Sequence, residues 1–301
     1  MTKSILNTNL NKAAKAKNDE FYTRLEDIEK ELQHYKNHFE NKIVYCNCDN
    51  PEWSNFYKYF HDNFKSLKLK KIITTHYDAN EEAYIYEYDG ERYIKTYLFN
   101  NGDFRSDECI AILKKADIVV TNPPFSIFRE HVTTLLQYNK KFLIIGSNLA
   151  VSNKIIFNEF KNGRMWLGIN SGSIKFKTPA NDFKNVNINW YTNLKHKKNR
   201  AKIALSKTYN SKDYPMYENS KFQNVINVNK IKDIPKDYSG VMGVPVNFIV
   251  KHNPNQFELI DILNNPLIKG REIFKRMLIR NKGLSVAQAN NQNFNRAKKA
   301  S

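Results

Sequence analysis

Glycine is absent where a nucleotide-binding loop would need it. The chain has 10 glycines in 301 residues, and the stretch Cys48-Asp49-Asn50-Pro51-Glu52-Trp53-Ser54-Asn55, which follows the first predicted strand, contains none. This excludes a G-x-G phosphate-binding turn of the dinucleotide type at that place. A cofactor bound after this strand must be approached by a different kind of turn.

Cysteine is also rare. The thiols of Cys46, Cys48 and Cys109 are too few for a disulfide framework, and the Cys-Asn-Cys stretch lacks the spacing and the second ligand pair of a zinc site. His34 and His38 stand four apart on a predicted helix but have no acidic third ligand nearby in sequence. We therefore predict no metal site, and we interpret the cysteines as small buried residues.

Long hydrophobic runs are missing. The longest apolar runs have the length of strands, so the sequence predicts no transmembrane helix. The first seven residues, Met1 to Asn7, contain no uninterrupted apolar segment suited to a signal peptide. These features favour a cytoplasmic protein.

Acidic residues are scarce in the second half only. Residues 1–150 hold 21 Lys+Arg and 21 Asp+Glu, whereas residues 151–301 hold 27 and 9, so the second half carries the whole net charge of +18. A lysine-rich composition that only served solubility would load both halves alike. The asymmetry therefore favours a nucleic acid as partner. Residues 1–17, polar and basic, are predicted to form a flexible arm that can lie along DNA.

The most informative stretch is Thr121-Asn122-Pro123-Pro124-Phe125, which follows an apolar run at residues 116–120. The run predicts a buried parallel strand, and two prolines in succession forbid both a helix and a sheet ladder at the next step. The loop is thus expected at the carboxyl end of a strand, where ligands bind in open α/β sheets. The alternative is an ordinary turn that begins with Asn-Pro.

The groups on this loop suit the methylation of an aromatic amine. The lone pair of such an amine is delocalised, so a methyl transfer needs acceptors that hold its N–H groups and favour tetrahedral geometry. The side-chain oxygen of Asn122 and the carbonyl of Pro123 can be these acceptors, Pro124 shapes the loop, and Phe125 can stack on the base. An ionised carboxylate is not required, because the proton can leave after the transfer.

Together with other stretches, Asn-Pro-Pro-Phe resembles the adenine-specific DNA methyltransferases of the EcoRI type. The other stretches are Asn18 to Arg24, Cys48 to Pro51 with Ser54-Asn55-Phe56, and Gly102-Asp103-Phe104. The resemblance spans about residues 18–195 and implies S-adenosylmethionine as cofactor and double-stranded DNA as partner. The cofactor-binding residues that it implies are Phe21, Tyr22, Thr23, Asp49, Pro51, Asn55, Asp103 and Phe104. From the residues alone, Asp103 can equally cap the helix predicted at 106–115.

Alternating strands and helices predict the fold class, an α/β protein with a Rossmann-like doubly wound sheet of the class I methyltransferase type. Strands are expected at residues 43–46, 70–76 and 141–146, and a helix at 128–138. A hairpin around Asp89-Gly90 is inserted between them. Asp78, just past the second strand, is the candidate for the ribose hydroxyls of the cofactor. The catalytic core is predicted at residues 18–160.

A basic target-recognition region is predicted at residues 161–280, partly returning to the core, and a disordered tail at 281–301. Short strands are expected at 163–176 and a basic helix at 267–280. Candidate DNA contacts are spread over two segments, of which one follows Trp190 and the other is the predicted basic helix. They are Lys195, Lys197, Lys198 and Arg200 in the first, and Arg271, Lys275 and Arg276 in the second.

These features predict a DNA adenine N6-methyltransferase that acts as a monomer on a flipped-out adenine, with a restriction endonuclease as a separate possible partner. One alternative is methylation of an amine in RNA or of a glutamine amide in protein, since the same loop serves all these planar nitrogens. The other is a non-catalytic DNA-binding module that keeps the fold, which the missing glycine loop favours.

Overall fold

The structure is a computed structural model that describes residues 23–77, 83–177, 183–197 and 200–284. Predictions for residues 1–17, Phe21, Tyr22, Asp78, Lys198 and the tail beyond 284 lie outside these ranges. The chain divides into two compact units. The first comprises Met1–Ala150 and Met165–Lys198, and the second comprises Val151–Arg164 and Asn199–Ser301. The first unit thus includes a segment, Met165–Lys198, that lies beyond the core boundary predicted at residue 160.

The first unit alternates strands and helices. Its α-helices are α1 (Leu25–Leu32), α2 (Lys36–Phe39), α3 (Asn55–Asp62), α4 (Asp107–Lys115) and α5 (Phe128–Gln137), and short 3-10 helices cover Gln33–Tyr35 and Phe125–Ile127. Its strands are β1 (Ile43–Cys46), β2 (Lys71–Thr75), β3 (Tyr84–Tyr88), β4 (Tyr93–Tyr97), β5 (Ile118–Thr121), β6 (Lys141–Ser147), β7 (Trp166–Lys177) and β8 (Phe183–Thr192).

These strands form one mixed sheet in the order β4-β3-β2-β1-β5-β6-β8-β7. The four central strands are parallel, and the chain runs from β1 outward to β2 on one side and from β5 outward to β6 on the other. The order therefore reverses between β1 and β5, which is where ligands bind in open α/β sheets. This sheet is consistent with the class I methyltransferase fold.

Several local predictions are confirmed. The Ser54 side chain accepts hydrogen bonds from the backbone N–H groups of Phe56 and Tyr57, so it caps α3 as expected. The hairpin around Asp89-Gly90 forms as β3 and β4, and Gly90 adopts φ +100°, a conformation that favours glycine. The main core lies between the sheet and helices α1 and α3 and is built of aliphatic and aromatic side chains. The helical periodicity of α3 places Phe56 and Phe60 in this core.

The predicted short strands at 163–176 are in fact one long strand, β7, interrupted by an irregularity. Leu167 pairs with Tyr191 and Ser171 with Asn189, so β7 uses four steps where β8 uses two. Such a bulge bends a strand without ending it. The extra residues are held by a buried carboxylate of α1, a contact that lies 138 residues away in sequence and that no local pattern announces.

The second unit contains α6 (Lys154–Lys161), 3-10 helices at Ile231–Asp233 and Val246–Lys251, and mostly short strands. These are β9 (Ile226–Asn227), β10 (Met242–Pro245), β11 (Phe257–Leu263), β12 (Leu267–Ile268), β13 (Arg271–Glu272) and β14 (Arg276–Asn281). Four of them form a sheet in the order β11-β14-β10-β9, and β12 pairs with β13. A further 3-10 helix covers Ala150–Ser152.

The predicted basic helix at 267–280 is wrong, because this segment forms β12, β13 and β14. Lys269 and Gly270 join β12 to β13 as a two-residue turn, with φ values of +49° and +70°. Two consecutive positive φ angles are the mark of the tight hairpin turn that suits twisted strands. The Lys-Gly pair was the sequence signal for this turn, and the regularly placed basic residues concealed it.

Within the described ranges, the helices are too short or too polar to span a lipid bilayer.

Candidate active site

The loops that follow β1 and β5 are joined by one carboxylate. Asp49, in the loop after β1, accepts a hydrogen bond of 2.7 Å from the Ser54 hydroxyl and one of 2.5 Å from the Thr121 hydroxyl. Its backbone N–H donates to the carbonyl of Thr75 at the end of β2. Because Thr121 is the last residue of β5, Asp49 holds three neighbouring strand ends and the start of α3 in one arrangement.

Asp49 is buried, and burial raises its pKa to about 6 although the two hydroxyl donors oppose this shift. Both carboxylate oxygens are engaged by protein hydroxyls. The resemblance implied that Asp49 contacts the cofactor. In the structure its carboxylate accepts from the hydroxyls of Ser54 and Thr121 and so fixes these two residues at the carboxyl edge of the sheet.

The four predicted catalytic residues lie together at the carboxyl end of β5. Asn122 follows the strand directly, Pro123 is buried, and Pro124 begins the 3-10 helix Phe125–Ile127. Phe125 is half-buried and packs against the main core. The loop therefore stands at the reversal of strand order, and the prediction of a strand that ends in an irregular loop at the double proline is confirmed.

Three of the cofactor candidates surround the loop after β1. The side-chain amide of Asn55 donates to the backbone carbonyl of Thr23 at 2.8 Å, which ties the segment before α1 to the start of α3. The Thr23 hydroxyl is buried and has no hydrogen-bond partner in the described structure. A buried hydroxyl without a partner is costly, so this atom is suited to a ligand. Pro51 lies half-buried in the same loop.

The turn with Asp103 and Phe104 lies against the end of β2. Gly102 has φ +74°, and a Cβ atom there would come within 2.0 Å of the His76 carbonyl, so only glycine allows this approach. The guanidinium of Arg105 contacts both oxygens of Asp103 and holds the pKa of that carboxyl below its usual range. The predicted cofactor residues of the loop after β1 and of the turn at residues 102–104 thus lie at one edge of the sheet.

The sequence interpretation missed His131 and Asn47, which support this edge from below. His131, in α5, is fully buried, and its Nε2 lies 3.0 Å from the Asn47 side-chain oxygen. The ring of Phe104 stands edge-on to the imidazole with 5.0 Å between ring centroids. Burial lowers the pKa of His131 to about 3, so the ring is neutral at physiological pH. The apolar helical period of α5 was the only signal that could have placed this histidine in the interior.

The sequence interpretation also missed the hydroxyl of Thr121, whose hydrogen bond to Asp49 becomes apparent only in the folded structure. In sequence it closes an apolar strand, and nothing marks its hydroxyl as a partner for a carboxylate 72 residues earlier. The parallel pairing of β1 with β5 creates this contact by bringing the two strand ends side by side.

The predicted DNA contacts after β8 do not share this edge. Strand β8 is antiparallel to β6, and the Asn193 side chain hydrogen-bonds the backbone of Phe142 and Lys140 at the start of β6. The exposed side chains of Lys195 and Lys197 therefore follow at the amino edge of the sheet, opposite the edge that carries Asn122.

Arg200, the fourth candidate of this segment, lies in the second unit. Its guanidinium is largely buried in the second unit and donates to the carbonyls of Ile249 and His252, each at 3.1 Å. Burial lowers its pKa. Both bonds come from Nη1, and they tie Arg200 to the backbone of the second unit.

The remaining candidates lie on β13, on β14 and in the link between these two strands. Arg271 is exposed on β13, Lys275 is half-buried with its ammonium 3.4 Å from the Ser152 hydroxyl, and the half-buried Arg276 donates to the side chain of Asn227. Lys275 directly precedes β14, and Arg276 is its first residue. Their basic character is thus presented by strands and not by a helix face.

Comparisons with known proteins agree with this geometry. A family model described as adenine-specific methyltransferase EcoRI matches residues 9–100 and 81–300. The chain is 42% identical over 327 residues to the type II methyltransferase M.EcoRI of Escherichia coli, with 94% of this chain and 99% of that protein covered. It is 41% identical to the type II methyltransferases M.MgeORF184P of Mycoplasma genitalium and M.MpnI of Mycoplasma pneumoniae, each alignment covering 85% of this chain and 86% of the relative.

No solved structure gives a significant match to the chain. The family model and the relatives nevertheless cover nearly the whole sequence, including both units and the loop at residues 122–125. The chain therefore belongs to the EcoRI family of adenine-specific methyltransferases.

Proposed function

We propose that this protein is a DNA adenine N6-methyltransferase that takes the methyl group from S-adenosylmethionine. The observation that carries the proposal is the loop of Asn122 and Pro123, which stands at the reversal of strand order and is tied through Thr121 to Asp49. Membership of the family supports the same activity.

The loop supplies acceptors to the amine. The Asn122 side-chain oxygen and the Pro123 carbonyl accept the two N–H groups of adenine N6, so that the nitrogen lone pair is directed away from the ring plane and towards the methyl donor. Phe125 stacks on the base and fixes its plane. After the transfer, one proton leaves the nitrogen to solvent, which is why the loop needs no carboxylate.

The residues at the carboxyl edge fit the cofactor. Thr23, through its buried hydroxyl, and the carboxylate of Asp103 offer hydrogen-bonding groups, while Phe104 supports the adenine ring and is itself held by His131. Phe21, Tyr22 and Asp78 belong to the same proposed set. S-adenosylmethionine supplies an electrophilic methyl group on a positively charged sulfur when it is bound there. Asp49 acts behind this surface by positioning Thr121 and Ser54.

The substrate is double-stranded DNA, and the second unit supplies most of the positive charge that binds it. That unit contains 21 Lys+Arg and 8 Asp+Glu, and its candidates for phosphate contacts are Arg271, Lys275 and Arg276. Such contacts hold the duplex while the target adenine leaves the stack, a step that costs roughly a few kcal/mol. In this proposal the second unit is the target-recognition region, and the Rossmann-like first unit is the catalytic core.

Three further parts of the proposal concern its setting. The enzyme acts as a monomer, since a single active site suffices to methylate one strand at a time. It works in the cytoplasm, where its DNA substrate lies, and a restriction endonuclease of the same specificity acts separately. Sedimentation of the protein with and without DNA tests the first of these statements.

The test is the transfer of labelled methyl from S-adenosylmethionine to unmethylated duplex DNA, followed by digestion and identification of the modified nucleoside by mass. N6-methyladenine is the expected product. Labelling of RNA or of protein glutamine in place of DNA would contradict the proposed substrate and leave the proposed loop chemistry standing. Absence of transfer, together with absence of S-adenosylmethionine binding in calorimetry, would identify a non-catalytic module.

A further inference from the structure

Strands β7 and β8 continue beyond the sheet as a two-stranded ribbon. The last pair between β6 and β8 joins Ser147 to Ile188, whereas β7 and β8 remain paired for five further steps, through residues 173–177 and 183–187. We call these two segments the distal ribbon. At about 3.3 Å per residue it extends roughly 15 Å past the carboxyl end of β6.

The distal ribbon rises beside the catalytic loop. Strands β5 and β6 are parallel, with Thr121 paired to Ile144, so the loop that begins at Asn122 leaves the sheet at the same edge. Only β6 separates β5 from β8 in the sheet, and two strand spacings amount to about 10 Å. The loop and the distal ribbon therefore stand side by side at the carboxyl edge of the first unit's sheet.

The base of the ribbon is held by a buried carboxylate. Glu31 of α1 accepts hydrogen bonds from the backbone N–H groups of Ile169 and Asn170, at 2.8 and 2.7 Å, and also from the Asn170 side chain and the Tyr35 hydroxyl. A Cβ atom on Gly168 would stand 2.2 Å from this carboxylate. These contacts fix the bulge of β7, and a fixed bulge sets the direction in which the ribbon projects.

The chemistry of the distal ribbon suits DNA. Asn185 and Asn187 are exposed, while Val186 between them is half-buried and packs against the main core. In sequence the distal ribbon contains three lysines and no acidic residue; the lysines are Lys175, Lys177 and Lys184. A carboxamide can hydrogen-bond the major-groove edge of adenine in two places, and lysine contacts phosphates or guanine.

We propose that the distal ribbon enters the major groove of the substrate DNA beside the flipped adenine, and that Asn185 and Asn187 contact base edges there. The major groove, about 12 Å wide, admits a two-stranded ribbon, whereas the minor groove is only about 6 Å wide. This inference rests on the proposed function and assigns part of its sequence recognition to the first unit.

The test begins by mapping the sequence that the wild-type enzyme methylates. The double variant Asn185→Ala/Asn187→Ala is then compared with wild type on that site and on duplexes with one base pair changed. We expect kcat/KM on the mapped site to fall about 5- to 150-fold, the range for one mismatched base pair in a recognition site. On the altered duplexes, kcat/KM is expected to fall by a smaller factor. The ratio of kcat/KM on the mapped site to kcat/KM on an altered duplex is therefore expected to decrease.

Asn37→Ala is the matched control, because Asn37 is exposed on α2, whose chain continues into the amino end of β1. It is expected to keep wild-type kcat/KM on every duplex. Melting temperature and S-adenosylmethionine affinity without DNA are expected to be unchanged in both variants, which separates weakened DNA recognition from a damaged fold.

A second variant, Lys175→Ala/Lys177→Ala/Lys184→Ala, tests the charge of the distal ribbon. The slope of log affinity against log salt is expected to decrease by about 0.9 for each phosphate that the variant no longer neutralises. Lys65→Ala, in the exposed turn between α3 and the amino end of β2, is its control.

The outcomes are distinguishable. Unchanged discrimination and unchanged salt slope in these variants of an active enzyme would overturn the role of the ribbon and leave the proposed function intact. If the variants changed the oligomeric state and left the affinity for DNA unchanged, the ribbon would be a contact between protein chains. This result would also overturn the proposal. A wild-type protein that methylates no DNA would overturn both.

Discussion

At the carboxyl edge of the eight-stranded sheet, polar side chains are buried and bonded to one another, as with Asp49, Ser54 and Thr121. At the amino edge they are exposed and cationic, as with Lys195 and Lys197. Both edges contain residues that the sequence marked as functional. Only the first has the arrangement of a site, because groups with few remaining degrees of freedom can hold a reacting atom in place.

The largest expected effect at the carboxyl edge comes from Asn122→Ala. Loss of the side-chain acceptor is expected to reduce kcat by on the order of 10²–10³-fold or more, the range found when one preorganised hydrogen-bonding group at a reacting centre is removed. Affinity for S-adenosylmethionine and for DNA should stay close to wild type, as measured by calorimetry and by gel shift. Near wild-type turnover in the variant would refute the role of this loop.

The next effect concerns stability and pH. The pKa of Asp49 is raised to about 6 from an ordinary value of 3.8, so between about pH 4 and pH 6 the folded state keeps a proton that the unfolded chain has lost. The contribution of this group to stability is therefore present below about pH 4 and is lost as the pH rises through 6. It is on the order of 3 kcal/mol.

Asp49→Asn removes this titration and serves as the reference. The free energy of unfolding of wild type minus that of the variant is expected to rise as the pH falls from 7 to 4, as measured by denaturant titration at each pH. A difference that stays constant over this range would mean that the carboxyl is not desolvated.

A smaller effect is expected for Thr121→Val, which keeps the shape of the side chain and removes its hydrogen bond to Asp49. Bonds to charged groups contribute about 1.5–3 kcal/mol, part of which appears as lost stability and part as a misplaced catalytic loop. We expect kcat to fall about tenfold, with the KM for S-adenosylmethionine little changed. A rise in KM alone would assign this contact to cofactor binding and not to the loop.

The smallest effect is expected at the amino edge. Lys195→Ala/Lys197→Ala removes two exposed charges at the edge of the sheet opposite the Asn122 loop. The affinity for cognate DNA at physiological salt is expected to change less than twofold, whereas Arg271→Ala/Lys275→Ala in the second unit is expected to weaken it clearly. If Lys195→Ala/Lys197→Ala reduced the affinity for DNA as much as Arg271→Ala/Lys275→Ala does, the duplex would have to reach the amino edge.

Features that depend on neighbours in sequence were predictable. The end of β5 at a double proline, the cap of α3 by Ser54 and the hairpin at Asp89-Gly90 each follow from the backbone limits of one or two residues. The balance of charge correctly separated a neutral half from a basic one. It could not indicate which basic side chains are exposed, and Arg200 lies largely buried against backbone carbonyls.

Contacts between residues far apart in the sequence, and turns masked by a competing pattern, were not predicted. The same lysine-glycine pair that forms a tight turn between β12 and β13 lies in a segment whose basic residues also fit a helix. Asp49 was predicted to bind the cofactor, but its hydrogen bond with Thr121 depends on β1 and β5 being neighbours. The bulge of β7 depends likewise on Glu31, a residue of α1.

The amino-acid sequence by itself determined the loop at Asn122–Phe125, the order of strands and helices in the first half, and the half that carries the net charge, because these are set by local backbone chemistry and by composition. Tertiary structure decided which polar groups share the carboxyl edge of the sheet, which lysines lie at the opposite edge, and where the distal ribbon projects. Parallel pairing decides these matters by bringing together residues that are tens of positions apart, and the pairing depends on how the whole sheet packs.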